Sequence, residues 1–328
     1  MTGDEPLMRA SKLTKEFPTG RGLLGRRRPP VQALCNVSLT LERGRTLGVV
    51  GESGCGKTTL ARLLCGLAVP TSGEIRLGGE PLDTRGAAAR AAFHRRVQLV
   101  FQNPMSSLNP RKTVGRILAA PLGALGGMSA SERREKVSAA LEMVGLEPDH
   151  ARRHPHEFSG GQAQRIAIAR ALIVEPELVV LDEAVSSLDV TVQARILELL
   201  RSIQSKRSIA FVFISHDLSV VESISHDVAV MYLGRVVEIG PCARILGAPR
   251  HPYTRALISA VPVPGRRMHA IELTGEPPSP ANPPTGCVFH PRCYRAESVC
   301  RESVPPLVAD TVDRPTACFF AHDSAPRR

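Results

Sequence analysis

Hydrophobic and polar positions follow two different patterns along the first 240 residues. Apolar and polar side chains alternate across residues 7–45, and this period of two predicts antiparallel β-strands. Beyond them, short apolar runs are separated by stretches with helical spacing. Strands that alternate with helices predict an α/β fold built around a parallel sheet.

The predicted elements can be bounded by residue number. The strands are predicted at 46–50, 73–79, 97–102, 178–181, 209–214 and, as a β pair, within 227–239. The helices are predicted at 59–65, 129–143, 163–173 and 190–205. Residues 113–150 are predicted as helical, with breaks at Pro121 and at Gly126 and Gly127, and Ser129 with Glu132 forms the capping box that opens helix 129–143.

A glycine-rich stretch between strand 46–50 and helix 59–65 matches the phosphate-binding pattern of a glycine, four free positions and then Gly-Lys-Ser/Thr. Its residues are Gly51, Glu52, Ser53, Gly54, Cys55, Gly56, Lys57, Thr58 and Thr59. Glycines let the backbone curl close to phosphate, and the helix N-terminus favours negative charge. We expect Lys57 to reach the β- and γ-phosphates and the Thr58 hydroxyl to bind Mg²⁺. An ordinary glycine-rich turn is the alternative, and the flanking strand and helix argue against it.

Polar residues follow three of the predicted strands. Asp182 and Glu183 come directly after the apolar run 178–181, which places them beside the phosphate loop at the carboxyl edge of the sheet. We expect Asp182 to hold Mg²⁺, directly or through water, and Glu183 to polarise the attacking water; a helix-capping acid is the alternative. Gln102 can present its amide to Mg²⁺ or water, and His216 ends another buried strand. A solvated glutamine and a structural histidine are the alternatives.

A second anion site is predicted at Ser159, Gly160, Gly161 and Gln162, which precede a helix that opens at Gln162 or soon after. Small residues there expose backbone N–H groups at the helix N-terminus. An ordinary helix cap is the alternative.

These motifs occur in the same order as in the nucleotide-binding subunits of ABC transporters, which the chain resembles. The order is phosphate loop, Gln102, 158–162, Asp182 with Glu183, 186–189, and His216, and the resemblance covers about residues 7–240. It implies a P-loop NTPase fold with an antiparallel β subdomain, a helical subdomain at about 103–173, and ATP with Mg²⁺ as cofactors. It also implies a composite site, in which the phosphate loop of one subunit faces Ser159 to Gln162 of another.

The same resemblance implies roles for further residues. Phe17 would stack on adenine, Asp189 would lie at the dimer interface, and His216 would contact the γ-phosphate. Gln102 and the helical segment after it would respond to a membrane partner.

The composition changes near Gly240. Of the 27 prolines, 15 lie at or beyond Pro241, and lysine is absent there, which predicts a loop-rich C-terminal extension at 241–328. Residues 101–110, 251–257 and 283–293 resemble ATPase subunits of dipeptide, oligopeptide and nickel importers, and residues 259–262 favour the second, F-type subunit. The resemblance implies a second ATPase subunit, two transmembrane permease subunits and an extracytoplasmic substrate-binding protein.

Four cysteines of the extension are spaced by five, six and seventeen residues: Cys287, Cys293, Cys300 and Cys318. Four thiolates suit an iron–sulfur cluster or structural Zn²⁺, and four unligated core residues are the alternative. The close-spaced zinc pairs and the bacterial ferredoxin run are both absent from the sequence. Resemblance to importer subunits with this tail favours [4Fe-4S] over Zn²⁺, in a structural or regulatory role away from the ATP site.

The net charge of +11 allows nucleic acid or an anionic membrane as partner. We prefer a basic surface on a nucleotide-binding protein, since long basic blocks are absent from the sequence. No apolar run approaches the roughly 18–20 residues of a membrane helix, and residues 1–15 lack a signal-peptide core, so we expect a chain that does not cross a bilayer alone and stays in the cytoplasm. The resemblance to importer subunits implies a peripheral position on the cytoplasmic face of the inner membrane.

Three classes of function compete. The leading hypothesis is an ATPase that powers import of dipeptides or oligopeptides, with import of nickel or another solute as its alternative. A nucleic-acid-associated ABC ATPase would carry a coiled-coil or zinc insertion, whereas here only about 100 residues without heptads separate the phosphate loop from Ser159. A soluble ABC factor in translation would need two cassettes in one chain. We therefore expect no nucleic-acid partner.

Overall fold

The structure is a computed structural model that describes residues 5–19, 29–83, 86–123, 127–261, 270–308 and 314–321. Its strands are β1 (Met8–Phe17), β2 (Val31–Leu41), β3 (Thr46–Val50), β4 (Ser72–Leu77), β5 (Glu80–Pro81), β6 (Val97–Val100), β7 (Leu178–Asp182), β8 (Ala210–Ile214), β9 (Asp227–Tyr232) and β10 (Arg235–Pro241). Its helices are α1 (Lys57–Leu64), α2 (Ala87–Arg96), α3 (Pro104–Ser107), α4 (Val114–Gly123), α5 (Ala130–Met143), α6 (Gly160–Leu172), α7 (Val190–Arg207), α8 (Leu218–Ile224), α9 (Cys242–Gly247), α10 (Pro252–Ser259) and α11 (Ser298–Glu302).

Within these ranges the strands form two sheets. The first is antiparallel, in the order β2-β1-β4-β5. The second has the order β10-β9-β3-β8-β7-β6 and is parallel except for the β9–β10 pair. Because β3, β6, β7 and β8 run in one direction, the loops after them meet at one edge of the sheet. The predicted α/β fold with an antiparallel β region is confirmed.

The parallel strands lie between two apolar clusters. Every residue of β3, β7 and β8 is buried, as expected for a parallel sheet covered on both faces. Along β7, Val179 and Leu181 pack with the helical region, whereas Leu178 and Val180 pack with α1 and the first sheet. Because successive side chains of a strand point to opposite faces, each of these strands contributes to both clusters. This packing on both faces fixes the position of the carboxyl edge of the sheet.

The helical region differs in part from the prediction. The break at Pro121 is wrong, because Pro121 lies inside α4, which ends two residues later at Gly123, so the missing N–H affects only the last turn. The capping box of α5 is confirmed: the Ser129 hydroxyl accepts from the Glu132 N–H at 3.2 Å, and the Glu132 carboxylate accepts from the Ser129 N–H at 2.7 Å. The predicted break at Gly126 lies outside the described residues. Within the described ranges, no helix combines the length and apolar character that spanning a bilayer requires.

The C-terminal extension packs against the core and includes short helices. It contains α9, α10 and α11, and Tyr253, Val288 and Phe289 are buried members of the core cluster. Its last described segment joins the free edge of β10, where the Ile239 N–H donates to the Pro315 carbonyl at 3.0 Å and the Ala317 N–H donates to the Val237 carbonyl at 2.8 Å. The domain boundary at 240/241 stays a prediction.

Candidate active site at the carboxyl edge of the sheet

The glycine-rich loop follows β3 directly and leads into α1. Gly56 has a φ of 106°, and a Cβ there would lie 2.4 Å from the Ala33 carbonyl oxygen of β2. At Gly51 a Cβ would lie 2.2 Å from the Met231 carbonyl oxygen. Glycine is therefore required for the close approach of the loop to both sheets. Because Gly56 is also the N-cap of α1 and carries no side chain, the first N–H groups of the helix face the loop.

Lys57 extends back under this loop. The residue is only 5% exposed, and its ammonium donates to the Gly51 carbonyl at 2.6 Å and to the Glu52 carbonyl at 2.9 Å. The charge thus lies inside the curl of the backbone, where it adds to the positive end of the helix dipole. Together they create a site for an anion.

Two oxygen-bearing side chains, Asp182 and Thr58, meet at the start of α1. Asp182, at the end of β7, is 8% exposed, and its Oδ1 atom is buried without a hydrogen-bond partner among the described residues. Burial raises the pKa of this carboxyl, and the Thr58 hydroxyl beside it and Lys57 lower it to a smaller extent. An orphaned carboxylate oxygen next to a hydroxyl fits a hard cation such as Mg²⁺, which would supply the missing partner.

Three polar side chains from separate strand ends converge beside Asp182. The Gln102 amide donates to Glu183 Oε2 at 3.0 Å, and His216 Nδ1 lies 3.6 Å from the same oxygen. Glu183 adopts a left-handed φ of 49°, a conformation that costs about 1–3 kcal/mol for a residue with a Cβ. Its N–H donates to the Ile214 carbonyl at 3.0 Å, which fixes the strained turn. The structure therefore brings together all three residues that the sequence predicts as catalytic.

Ser159 to Gln162 form a different helix end. α6 begins at Gly160, two residues before the predicted start, because Ser159 and Gln162 close a capping box. The Ser159 hydroxyl accepts from the Gln162 N–H at 3.3 Å, and the Gln162 side chain accepts from the Ser159 N–H at 3.0 Å. Ser159 and Gly160 are exposed. This helix end thus opens to the surface.

Two further predicted residues are exposed at element ends. Asp189 is the N-cap of α7, and its carboxylate accepts from the Val192 N–H at 2.9 Å. Phe17 ends β1 and is 41% exposed, with Lys15 Nζ 5.2 Å from its ring centroid. Both side chains are free to contact a ligand or a second chain.

The extension contacts the phosphate loop, which the sequence did not predict. The Tyr253 hydroxyl accepts from the Glu52 N–H at 2.9 Å, and Arg292 Nη1 donates to Glu52 Oε2 at 2.8 Å. α10 and the turn His290–Arg292 thus pack against this loop. The only signal in the sequence was that both residues lie in segments with a family resemblance. The expectation that the cysteine cluster acts away from the ATP site stays a prediction.

Four thiols of the extension line one small cavity beside Phe289: Cys287, Cys293, Cys300 and Cys318. Burial, and to a smaller extent the neighbouring thiols, raise the pKa of Cys293 to about 12, although the hydrogen bond from the Arg295 N–H lowers it. All eight cysteines lie in the described residues as free thiols. In that part of the chain, no three His, Cys, Asp or Glu side chains stand close enough to hold one ion. The thiols thus converge without forming a ready site for a single Zn²⁺.

Two families match the sequence: one described as ABC transporter, at residues 34–186, and one described as the C-terminal region of oligopeptide/dipeptide transporters, at residues 237–300. The chain is 51% identical to the dipeptide transport ATP-binding protein DppF of Haemophilus influenzae, over 96% of each chain. It is 45% identical to the oligopeptide transport ATP-binding protein AppF of Bacillus subtilis, over 96% of this chain and 98% of that protein.

A solved structure shares the fold of the core. It is the dimeric, post-hydrolysis state of the ATP-binding cassette MJ0796 bound to ADP and Pi, with a TM-score of 0.64 and 28% identity. The match covers 72% of this chain and 98% of that chain. The curated relatives, by contrast, match the extension as well.

Proposed function

This chain belongs to the family of ATP-binding subunits of dipeptide and oligopeptide ABC transporters, and we propose that it hydrolyses ATP to power the import of short peptides through membrane partners. The observation that carries the proposal is the convergence of Gln102 and His216 on Glu183, beside the phosphate loop. Peptide is favoured over nickel as the cargo because the relatives are named for dipeptide and oligopeptide transport.

We assign each residue of the site a role in hydrolysis. Lys57 and the N–H groups of 51–59 bind the β- and γ-phosphates. Thr58 and Asp182 would hold Mg²⁺, which would supply charge neutralisation at the phosphate oxygens. Glu183 accepts a hydrogen bond from water and takes its proton as the water oxygen bonds to the γ-phosphorus. The bond to the β–γ bridging oxygen breaks, and ADP and phosphate leave. Gln102 and His216 orient the Glu183 carboxylate, and His216 contacts the γ-phosphate.

A complete site takes two subunits in this proposal. Ser159 to Gln162 present their helix end to the phosphate loop of a second ATPase subunit, with Asp189 at the interface and Phe17 stacked on adenine. The exposure of Ser159 and Gly160 and the dimeric state of MJ0796 support this arrangement. The F-type resemblance of residues 259–262 supports a heterodimer.

Exposed apolar residues next to Gln102 suit the membrane partners. Phe101 is 42% exposed and Met105 is 39% exposed, one on each side of residues 102–104. We propose that one of the two permease subunits docks here, which holds the protein on the cytoplasmic face of the inner membrane. An extracytoplasmic binding protein delivers the peptide.

We propose that Cys287, Cys293, Cys300 and Cys318 hold a [4Fe-4S] cluster. A cluster distributes its four thiolates over four irons, so it does not require the close grouping that one Zn²⁺ needs. The shared cavity supports this choice. Protein purified anaerobically should contain iron and acid-labile sulfide; a zinc-loaded or metal-free protein with four alkylatable thiols would contradict it.

The function is tested on the intact complex in vesicles, with ATP inside and the binding protein outside. We expect labelled dipeptide or oligopeptide to accumulate only with hydrolysable ATP, and nickel to be excluded. Uptake of nickel instead would support the alternative cargo. ATP hydrolysis stimulated by DNA in the free chain would support the nucleic-acid class and contradict the proposal.

A further inference from the structure

We propose that Arg292 and Tyr253 of the extension are positioning residues for the phosphate loop: they fix Glu52 and neutralise its charge, so that the extension sets nucleotide affinity. The inference rests on the proposed ATP site. It concerns residues that lie 201 and 240 positions away from Glu52 in the chain.

Glu52 is held at each of its polar groups. Its N–H donates to the Tyr253 hydroxyl at 2.9 Å, its carboxylate accepts from Arg292 at 2.8 Å, and its carbonyl accepts from Lys57 at 2.9 Å. Two of these three contacts come from the extension. The orientation of the peptide groups that must face phosphate therefore depends on residues outside the loop.

The negative charge of Glu52 makes its contact with Arg292 important for nucleotide binding. A carboxylate in a loop that binds a polyphosphate repels the ligand, because like charges in a partly buried site interact strongly. Arg292 cancels that charge from a side chain that is only 8% exposed, against 27% for Glu52. Burial alone would lower the pKa of Arg292, but its hydrogen bonds to Glu52 and Tyr232 outweigh burial and raise it. The guanidinium thus stays charged at every physiological pH.

An aromatic cluster anchors both positioning residues. The rings of Tyr232 and Tyr253 lie 4.7 Å apart, and Phe289 lies 5.1 Å from Tyr232 and 5.4 Å from Tyr253. Tyr253 is fully buried, and burial raises the pKa of its hydroxyl, which therefore stays protonated. Arg292 lies three residues beyond Phe289, in the turn His290–Arg292. The cluster fixes both side chains before nucleotide arrives.

A second ion pair between extension and core provides the matched control. Arg314 Nε lies 3.8 Å from Glu238 Oε1, and the Arg314 side chain is also 8% exposed. The Arg314 guanidinium also donates to the Arg244 carbonyl, at 2.9 Å, which is not part of the phosphate loop. Loss of this pair perturbs a contact between extension and core without leaving an unpaired charge at the nucleotide.

The test is equilibrium binding of ATP and ADP to the full-length chain in its complex. Arg292→Gln should weaken ATP binding about tenfold, since it leaves the Glu52 carboxylate unpaired against the phosphates. The loss should be smaller for ADP and should shrink at high salt, because screening weakens repulsion. Arg292→Lys should keep most of the affinity, and Glu52→Gln placed on Arg292→Gln should restore most of it.

If the extension only supports the phosphate loop mechanically, without an electrostatic role, a different outcome is expected. The double variant would then bind as weakly as Arg292→Gln, and the loss would not depend on salt; either result overturns the inference. Arg314→Gln should bind ATP like the parent protein, and an equal loss there would also overturn it. If Arg292→Gln fails to fold, Tyr253→Phe provides a second test, because it removes the hydroxyl that accepts from the Glu52 N–H. Tyr253→Phe should weaken ATP binding severalfold, and unchanged binding would count against the inference.

Lys57→Ala separates this inference from the proposed site. If Lys57→Ala loses ATP binding while Arg292→Gln retains it, only the role of the extension is wrong. If Lys57→Ala retains full binding, the ATP site itself is wrong.

Discussion

The N-termini of α1 and α6 are both predicted to face phosphate, but the protein builds them differently. The first turn of α1 lies over a glycine cap, with a buried lysine and Asp182 beside it. The first turn of α6 is capped by its own Ser159 and opens to solvent. One end is thus enclosed by its own chain, whereas the other carries only a helix dipole and a capping box. An open helix end of this kind is what the proposed composite site requires, in which α6 serves a ligand bound by another subunit.

The largest effect is expected from a substitution beside the enclosed N-terminus of α1. Glu183→Gln keeps the hydrogen bond geometry but cannot take a proton, so turnover in the complex should fall by about 10²–10⁴. ATP binding should persist, because Lys57 and the loop are untouched. Single-turnover hydrolysis and equilibrium ATP binding, measured separately, check both statements. Near-normal turnover would show that another group takes the proton.

A smaller effect is expected at the open end. Gly160→Asp places a carboxylate at the α6 N-terminus, where it should repel the phosphates of the other subunit's nucleotide. Turnover of the complex should fall by about one to two orders of magnitude, while nucleotide binding to this chain's own phosphate loop remains.

Gly160→Ala is the control for that substitution. A Cβ at this position lies 3.8 Å from Leu188, an ordinary contact, so the alanine variant should fold and retain most of the turnover. Full turnover by Gly160→Asp, or by a strictly monomeric preparation, would contradict the composite site.

The sequence predicted the enclosed end well, and its failures have physical reasons. Fully apolar strands followed by polar residues are unambiguous, so the meeting of Asp182, Glu183 and His216 followed from parallel strand order. α2 was missed because only Phe93 is buried along it, which leaves no amphipathic stripe. The pairing of Arg292 with Glu52 could not be predicted, because an isolated arginine carries no signal of a partner 240 residues away.

Two matched capping boxes give the last and smallest test of the comparison. Ser129 caps α5 and Ser159 caps α6 with the same reciprocal pair of hydrogen bonds, and both serines are exposed. Replacing either serine with alanine removes one acceptor for a helix N–H and should cost about 1 kcal/mol of unfolding free energy.

If α6 serves only as a helix end, Ser129→Ala and Ser159→Ala should leave turnover equally unaffected. We instead expect Ser159→Ala to lower turnover severalfold in the assembled complex, since its hydroxyl lies where the other subunit's phosphate is proposed to bind. Chemical denaturation and steady-state ATP hydrolysis of both variants decide the matter, and equal turnover would confine Ser159 to capping.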